Sequence, residues 1–214
     1  MIDRFKGVFF DFDFTLGDSS EGICESVNYA LRGMSLPEAE RDPICKQIGL
    51  PLFLMYENIA GRSDQGEKEQ FRTLFSEKAN EVVVASSSLY PSVAELLKQL
   101  KEHEKHTAII STKRRSHLVG IAEKHSIDHY LSVIVGGDEV SVHKPDPEGI
   151  LKAAKLLNLK PSEVVYIGDS VVDAEAAAKA GVAFVAVLSG TTPRDHFSSH
   201  NPMIILDSVA DILY

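Results

Sequence analysis

The chain has little of what marks several large classes of protein. Only two cysteines occur in 214 residues, Cys24 and Cys45, with neither the spacing of a metal knuckle nor the density of a disulfide scaffold. No apolar run approaches the roughly 20 residues that cross a bilayer. Met1 passes through charged Asp3 and Arg4 directly into an apolar segment, leaving no room for a secretory leader. These absences predict a cytoplasmic protein in a reducing compartment, with no membrane partner. Basic residues are also scarce: 22 against 31 acidic ones, a formal charge of -9. With no long basic run to offset that balance, non-specific binding to nucleic acid is unfavourable, which predicts no nucleic-acid partner. The one basic cluster, Lys113-Arg114-Arg115, reads either as a solvated helix entry or as local help for an anionic ligand. The eight histidines form no close metal-ligand pair, and His103 and His106 read as surface loop residues. Internal repeats and low-complexity segments are lacking too.

What the chain does have is a short apolar run, Gly7-Val8-Phe9-Phe10, that ends in two carboxylates, Asp11 and Asp13, with Thr15 two residues on. A continuous apolar run reads as a strand buried on both faces, and the carboxyl end of such a strand is where open parallel sheets bind ligands. Two carboxylates this close repel one another and desolvate badly, so a cation, a shared proton or a strong donor must accompany them. Mg²⁺ is the cation that fits. The same residues have a structural use, ending a strand and capping the next helix.

Helical periodicity follows, opened by Asp18 and Glu21 at capping-box spacing and continued by Ile23, Val27, Ala30, Leu31 and Met34. Pro37 breaks this helix, a second piece runs to about Ile48, Gly49-Leu50-Pro51 interrupts again, and a longer helix carries Phe71, Leu74, Phe75 and Val82. Residues 17–86 therefore read as a helical unit inserted after the first strand, far longer than one crossover needs. From Tyr90 onward helices alternate with strands at Thr107 to Ser111, Leu131 to Val135, Val164 to Ile167, Phe184 to Val187 and Met203 to Leu206. Such alternation predicts a parallel sheet with helices on both faces. The fold class is thus α/β, a doubly wound Rossmann-like core of residues 1–16 and 87–214 with residues 17–86 as a helical insertion.

Three further strand ends or following loops carry polar groups. Thr107-Ala108-Ile109-Ile110 runs into Ser111-Thr112, hydroxyls and amides that open a helix and so suit an anion. His143-Lys144-Pro145-Asp146-Pro147 places a lysine in a loop before another helix, and Val164 to Ile167 runs into Gly168-Asp169-Ser170 with Asp173 close behind. Each has an ordinary structural use as a cap or turn. Together and in order, at the ends of buried strands, they point to one site.

In these motifs, Asp11-Phe12-Asp13-Phe14-Thr15-Leu16, Ile109 to Lys113, Lys144-Pro145-Asp146-Pro147 and Gly168-Asp169-Ser170 with Asp173, the whole chain resembles the haloacid dehalogenase superfamily. It is most similar to the branch of phosphoglycolate phosphatases with a helical cap. The resemblance implies a Mg²⁺-dependent phosphatase of a small phosphorylated metabolite, working through an aspartyl-phosphate, with residues 17–86 as a mobile cap. It makes Asp11 the nucleophile and Asp13 the general acid and base. Asp11, the Asp13 carbonyl and Asp169 become the metal ligands, and Lys144 the neutralising cation. Thr15, Ser111, Thr112 and Lys113 become substrate-binding residues, with Asp173 in support, orienting Lys144 or metal-bound water. A pyrophosphatase or a β-phosphoglucomutase-like phosphotransferase would share these core residues, and a non-catalytic binding protein is the reading from another class. The resemblance leaves a monomer or a homodimer open. Asp13 speaks against the dehalogenase branch, which lacks a carboxylate acid there. Phe14 stands where the commonest form has glycine, which predicts a backbone φ below zero at this position. His143, beside Lys144, is a candidate to touch substrate or tune the lysine.

Overall fold

The computed structural model of the protein describes residues 2–212. Its strands are β1 Gly7–Phe10, β2 Gly17–Asp18, β3 Ser88–Leu89, β4 His106–Ile110, β5 Val133–Val135, β6 Val164–Gly168, β7 Ala183–Val187 and β8 Ile204–Leu206. The helices are α1 Ser20–Gly33, α2 Arg41–Cys45, α3 Leu52–Ala60, α4 Gln65–Ser86, α5 Val93–Glu102, α6 Arg115–Lys124, α7 Glu148–Leu156 and α8 Val171–Ala180. The described chain divides into two compact units, one running to Asp18 and resuming at Leu89, the other Ser19–Ser88.

In the first unit six strands form one sheet in the order β5-β4-β1-β6-β7-β8, every neighbouring pair parallel. Val8, Phe9 and Phe10 of β1 are completely buried, as a central strand covered by helices on both faces must be. Phe9, Ala108, Ile110, Tyr166 and Phe184 share one apolar cluster with the alanines of α8, whose small side chains let the helix lie close to the sheet. Register brings the strand ends level: Phe10 pairs with Ile109 on one side and Ile167 on the other. Asp11, Ser111 and Asp169 thus emerge along the same edge. The chain runs outward from β1 through β4 to β5, then returns to β6 on the other flank of β1. The reversal of strand order opens the crevice where doubly wound sheets bind ligands.

The helical unit has a core of its own, in which Ile23, Val27 and Leu31 of α1 meet Tyr56 of α3 and Phe71 of α4. The rings of Tyr56 and Phe71 lie 5.0 Å apart, a favourable aromatic separation. Two local expectations fail, one at the entry to this unit and one in the sheet. Asp18 lies in β2 instead of opening a capping box, and the residue before α1 is Ser19, whose hydroxyl is met by that of Ser87 at 2.8 Å. The working cap is at α4, where Asp64 accepts a hydrogen bond from the Glu67 amide. In the sheet unit, exposed His106 opens β4 and is not a loop residue. Among the described residues no helix is long and apolar enough to cross a membrane.

Candidate active site

β1 ends at Phe10, and the Asp11 amide still donates to the Ile167 carbonyl at 2.9 Å, so sheet pairing holds the first carboxylate in place. Beyond it the chain turns back tightly: the Phe12 carbonyl accepts from Thr15, Leu16 and Gly17, and the Phe14 amide donates to the Gly17 carbonyl at 2.7 Å. That turn sets Phe14 at φ 60°, in the left-handed region, which corrects the expectation of a negative φ. A side chain there costs about 1–2 kcal/mol. The ring, buried to within 9% of its surface, offsets the cost, and the Ser189 hydroxyl donates to the Phe14 carbonyl at 2.6 Å.

Eight sequence-selected residues meet at the sheet edge. Lys144 Nζ lies 3.0 Å from Asp11 Oδ1 and 2.6 Å from Asp173 Oδ1, all three side chains buried. Asp173 sits in the first turn of α8, where the Ser170 hydroxyl donates to its Oδ2 at 2.6 Å. Asp169 follows β6 and accepts from the Thr15 hydroxyl at 3.1 Å. On the other flank, the Ser111 hydroxyl accepts from the Lys113 amide at 3.2 Å, and Lys113 Nζ reaches across to Asp13 Oδ2 at 3.2 Å. The basic cluster therefore divides. Lys113 is buried against Asp13, Arg115 pairs with Glu139 at 3.5 Å, and Arg114 is exposed at the entry to α6. Thr112 is half-buried beside Ser111.

The electrostatics are those of carboxylates crowded away from water. Burial raises Asp11 to about 7, repulsion from Asp173 and Asp13 adds to it, and Lys144 opposes. Asp169 is also held well above its usual range, by burial first and then by Asp173 and Asp11. Burial pulls Lys144 down, but the carboxylates of Asp11 and Asp173 more than offset that and hold it above its ordinary value. His143 is less closely tied in. Its Nδ1 is buried without a hydrogen-bond partner, burial lowers its pKa, and it shares a recess with Ser111, Thr112, Lys144 and Asp146.

Three neighbours of the site escape a reading by motif. The Tyr166 hydroxyl lies within 3.2 Å of Lys144 Nζ and 3.1 Å of Asp173 Oδ1. Its signal is in the sequence, since a phenol inside a buried strand must find a partner. Ser189 and Gly190 follow β7, and a Cβ built on Gly190 would overlap Asp169 Oδ2. Nothing local announces either.

A family model for haloacid dehalogenase-like hydrolases matches residues 8–187. The chain belongs to the haloacid dehalogenase-like hydrolases. Among curated relatives of this hydrolase, the phosphoglycolate phosphatase of Pectobacterium atrosepticum is 31% identical and that of Escherichia coli 28%. Both alignments cover 99% of this chain and 92% of the relative. Among solved structures, a haloacid dehalogenase-like protein from Bacteroides fragilis superposes with a TM-score of 0.94 at 36% identity, covering 98% of this chain and 100% of the other. A protein predicted to be a phosphoglycolate phosphatase, from Haemophilus somnus, gives a TM-score of 0.88 at 29% identity, covering 98% and 97%.

Phosphatases of this family generally use a divalent metal, and the donor set here suits one. Among the described residues Asp11, Asp169 and Asp173 each offer a buried carboxylate oxygen, all within 4.8 Å of one another. Hard oxygen donors crowded this way suit a hard divalent cation, whose charge would relieve the repulsion that raises Asp11 and Asp169. Asp13 Oδ1 is buried without a hydrogen-bond partner, and Asp11 Oδ1 has the Lys144 ammonium beside it at 3.0 Å but no aligned hydrogen bond, so both can still take a ligand. The side chain of Asp13 stands outside the trio, on Lys113. Asp173 stands inside it with both oxygens engaged, one by Lys144 and Tyr166 and one by Ser170.

Proposed function

We propose that this hydrolase is a Mg²⁺-dependent phosphatase of a small, phosphoglycolate-like phosphomonoester in the cytoplasm, working through an aspartyl-phosphate on Asp11. The observation that carries the reading is the contact of Lys144 with Asp11 at 3.0 Å beside the buried Asp169. It supports a carboxylate nucleophile whose charge is balanced on one side by an ammonium and on the other by a metal. When bound, the metal neutralises charge between the attacking carboxylate and the phosphate. Asp11, Asp169 and the main-chain carbonyl of Asp13 would hold it, with Asp173 turned to Lys144 instead.

In this reading Ser111, the Thr112 amide and Lys113 receive the phosphoryl oxygens, Thr15 steadies Asp169, and Lys144 offsets negative charge as the phosphate approaches. An Asp11 oxygen attacks phosphorus, the ester P–O bond breaks, and Asp13 gives its proton to the departing alkoxide. Asp13 then takes a proton from the water that attacks the acyl phosphate, inorganic phosphate leaves, and both carboxylates return to their starting state. Lys113 must exchange Asp13 for substrate on the way. Residues 17–86, inserted between the nucleophile strand and α5, are assigned the part of the cap.

The test is phosphate release from phosphoglycolate and from p-nitrophenyl phosphate, with Mg²⁺ and with EDTA. Turnover that requires the metal is the expected result. No release from any of a panel of phosphomonoesters at millimolar Mg²⁺ would overturn the reading.

A further inference from the structure

A lysine ammonium has three N–H groups, and three oxygens surround Lys144 Nζ: it donates to Asp173 Oδ1 at 2.6 Å and to the Tyr166 hydroxyl at 3.2 Å, and it forms an ion pair with Asp11 Oδ1 at 3.0 Å. Tyr166 is fully buried in β6, among Val164, Val165 and Ile167. Phenylalanine would fill the same space without the cost of burying a hydroxyl, so the oxygen needs its own account. It lies 3.1 Å from the Ile110 carbonyl and 3.1 Å from Asp173 Oδ1, so its single proton goes to one of them while a lone pair accepts from Lys144. β4 and β6 are not neighbours in the sheet, since β1 lies between them. One atom therefore ties together the end of β4 just before Ser111, the loop that carries Lys144, and the first turn of α8.

We propose that Tyr166 is the positioning residue of this site, its hydroxyl holding the Lys144 ammonium against Asp11 and fixing it relative to the strand end that carries Ser111. The proposal rests on the phosphatase reading above. Without the hydroxyl, Lys144 keeps two carboxylates and is drawn to the nearer one, Asp173, away from the nucleophile. A shift of this kind weakens charge balance as phosphorus is attacked and leaves the groups that first bind the phosphate in place. The loss falls on kcat rather than on KM.

The experiment is Tyr166→Phe assayed beside the parent with p-nitrophenyl phosphate at saturating Mg²⁺. We expect kcat to fall about tenfold, as losing one well-aligned hydrogen bond in the transition state would cause, with KM within about twofold. An unchanged kcat in a folded Tyr166→Phe overturns the proposal while leaving the phosphatase reading intact. A parent without turnover overturns that reading instead. A second measurement needs neither turnover nor the variant's stability. In the unsubstituted protein the Lys144 ammonium protons, assigned by their loss in Lys144→Met, should exchange slowly and show a nuclear Overhauser contact to one tyrosine ring. Absence of that contact overturns the proposal even if Tyr166→Phe fails to fold.

Discussion

Asp11 concentrates the electrostatic conflict of the molecule, and two predictions follow from its side chain. As the nucleophile it has no substitute, so Asp11→Asn should lower turnover by at least about three orders of magnitude, roughly 4 kcal/mol of barrier. A purified variant with near-parent rates would remove Asp11 from the mechanism. The second prediction concerns stability without metal. Burial, with Asp173 and Asp13 adding, raises the folded carboxyl from 3.8 to about 7, so the folded state holds this proton more tightly than the unfolded chain. Stability from this group is complete below pH 3.8 and is lost as pH rises through 7. Asparagine cannot ionise and escapes that loss. In EDTA, Asp11→Asn should therefore gain on the parent between pH 5 and pH 8, by at most about 3 kcal/mol. Parallel melting curves at the two pH values would show that the carboxylate is not strained. Phe14 poses the opposite balance, strain against burial. Phe14→Gly relieves the left-handed backbone, whereas Phe14→Ala keeps the strain and loses the ring as well. Glycine should be the more stable replacement by about 1 kcal/mol in urea denaturation, the reverse of the usual order in regular structure.

At the scale of elements, the site is a row of strand ends steadied by segments that bring no chemistry themselves. β1, β4 and β6 end level, so small adjustments of the following turns decide where each polar group points. The segment after β7 shows this most directly. Ser189 ties down the Phe14 carbonyl, and Gly190 lies so near Asp169 that a methyl group there would overlap its carboxylate. Gly190→Ala should displace Asp169 and weaken Mg²⁺ binding in a calorimetric titration, in the same direction as Asp169→Ala. Parent-like Mg²⁺ affinity in Gly190→Ala would mean that this segment does not set the ligand. α8 has a similar double use for one residue, since Asp173 completes the helix cap with Ser170 and anchors Lys144.

At the scale of the whole molecule, each of the two units carries its own apolar cluster, one under the sheet and one around Phe71. Independent cores predict separable stabilities. Phe71→Ala, which empties a fully buried ring site, should cost the helical unit about 3–5 kcal/mol. Hydrogen exchange should then accelerate in residues 19–88 while β1, β4 and β6 keep their protection. Uniform acceleration over the whole chain would mean a single cooperative core.

Along the chain, the alternation of helix and strand, the run of helices after β1 and the polar groups at three strand ends were all legible, because each rests on local periodicity or on residue type beside a buried run. The placing of Asp11, Ser111 and Asp169 just beyond strand ends could be read for the same reason. Partnership was not legible. That Lys113 turns inward to Asp13 while Arg114 stays exposed, that Asp173 meets Lys144, and that Ser189 ties down the Phe14 carbonyl all depend on segments distant in sequence. Tyr166 and Gly190 show the limit most plainly. Composition and spacing determined which kinds of group stand at the sheet edge. Only the tertiary structure decided which atoms meet there, because hydrogen bonds and steric contacts act over ångströms between residues that the chain itself keeps far apart.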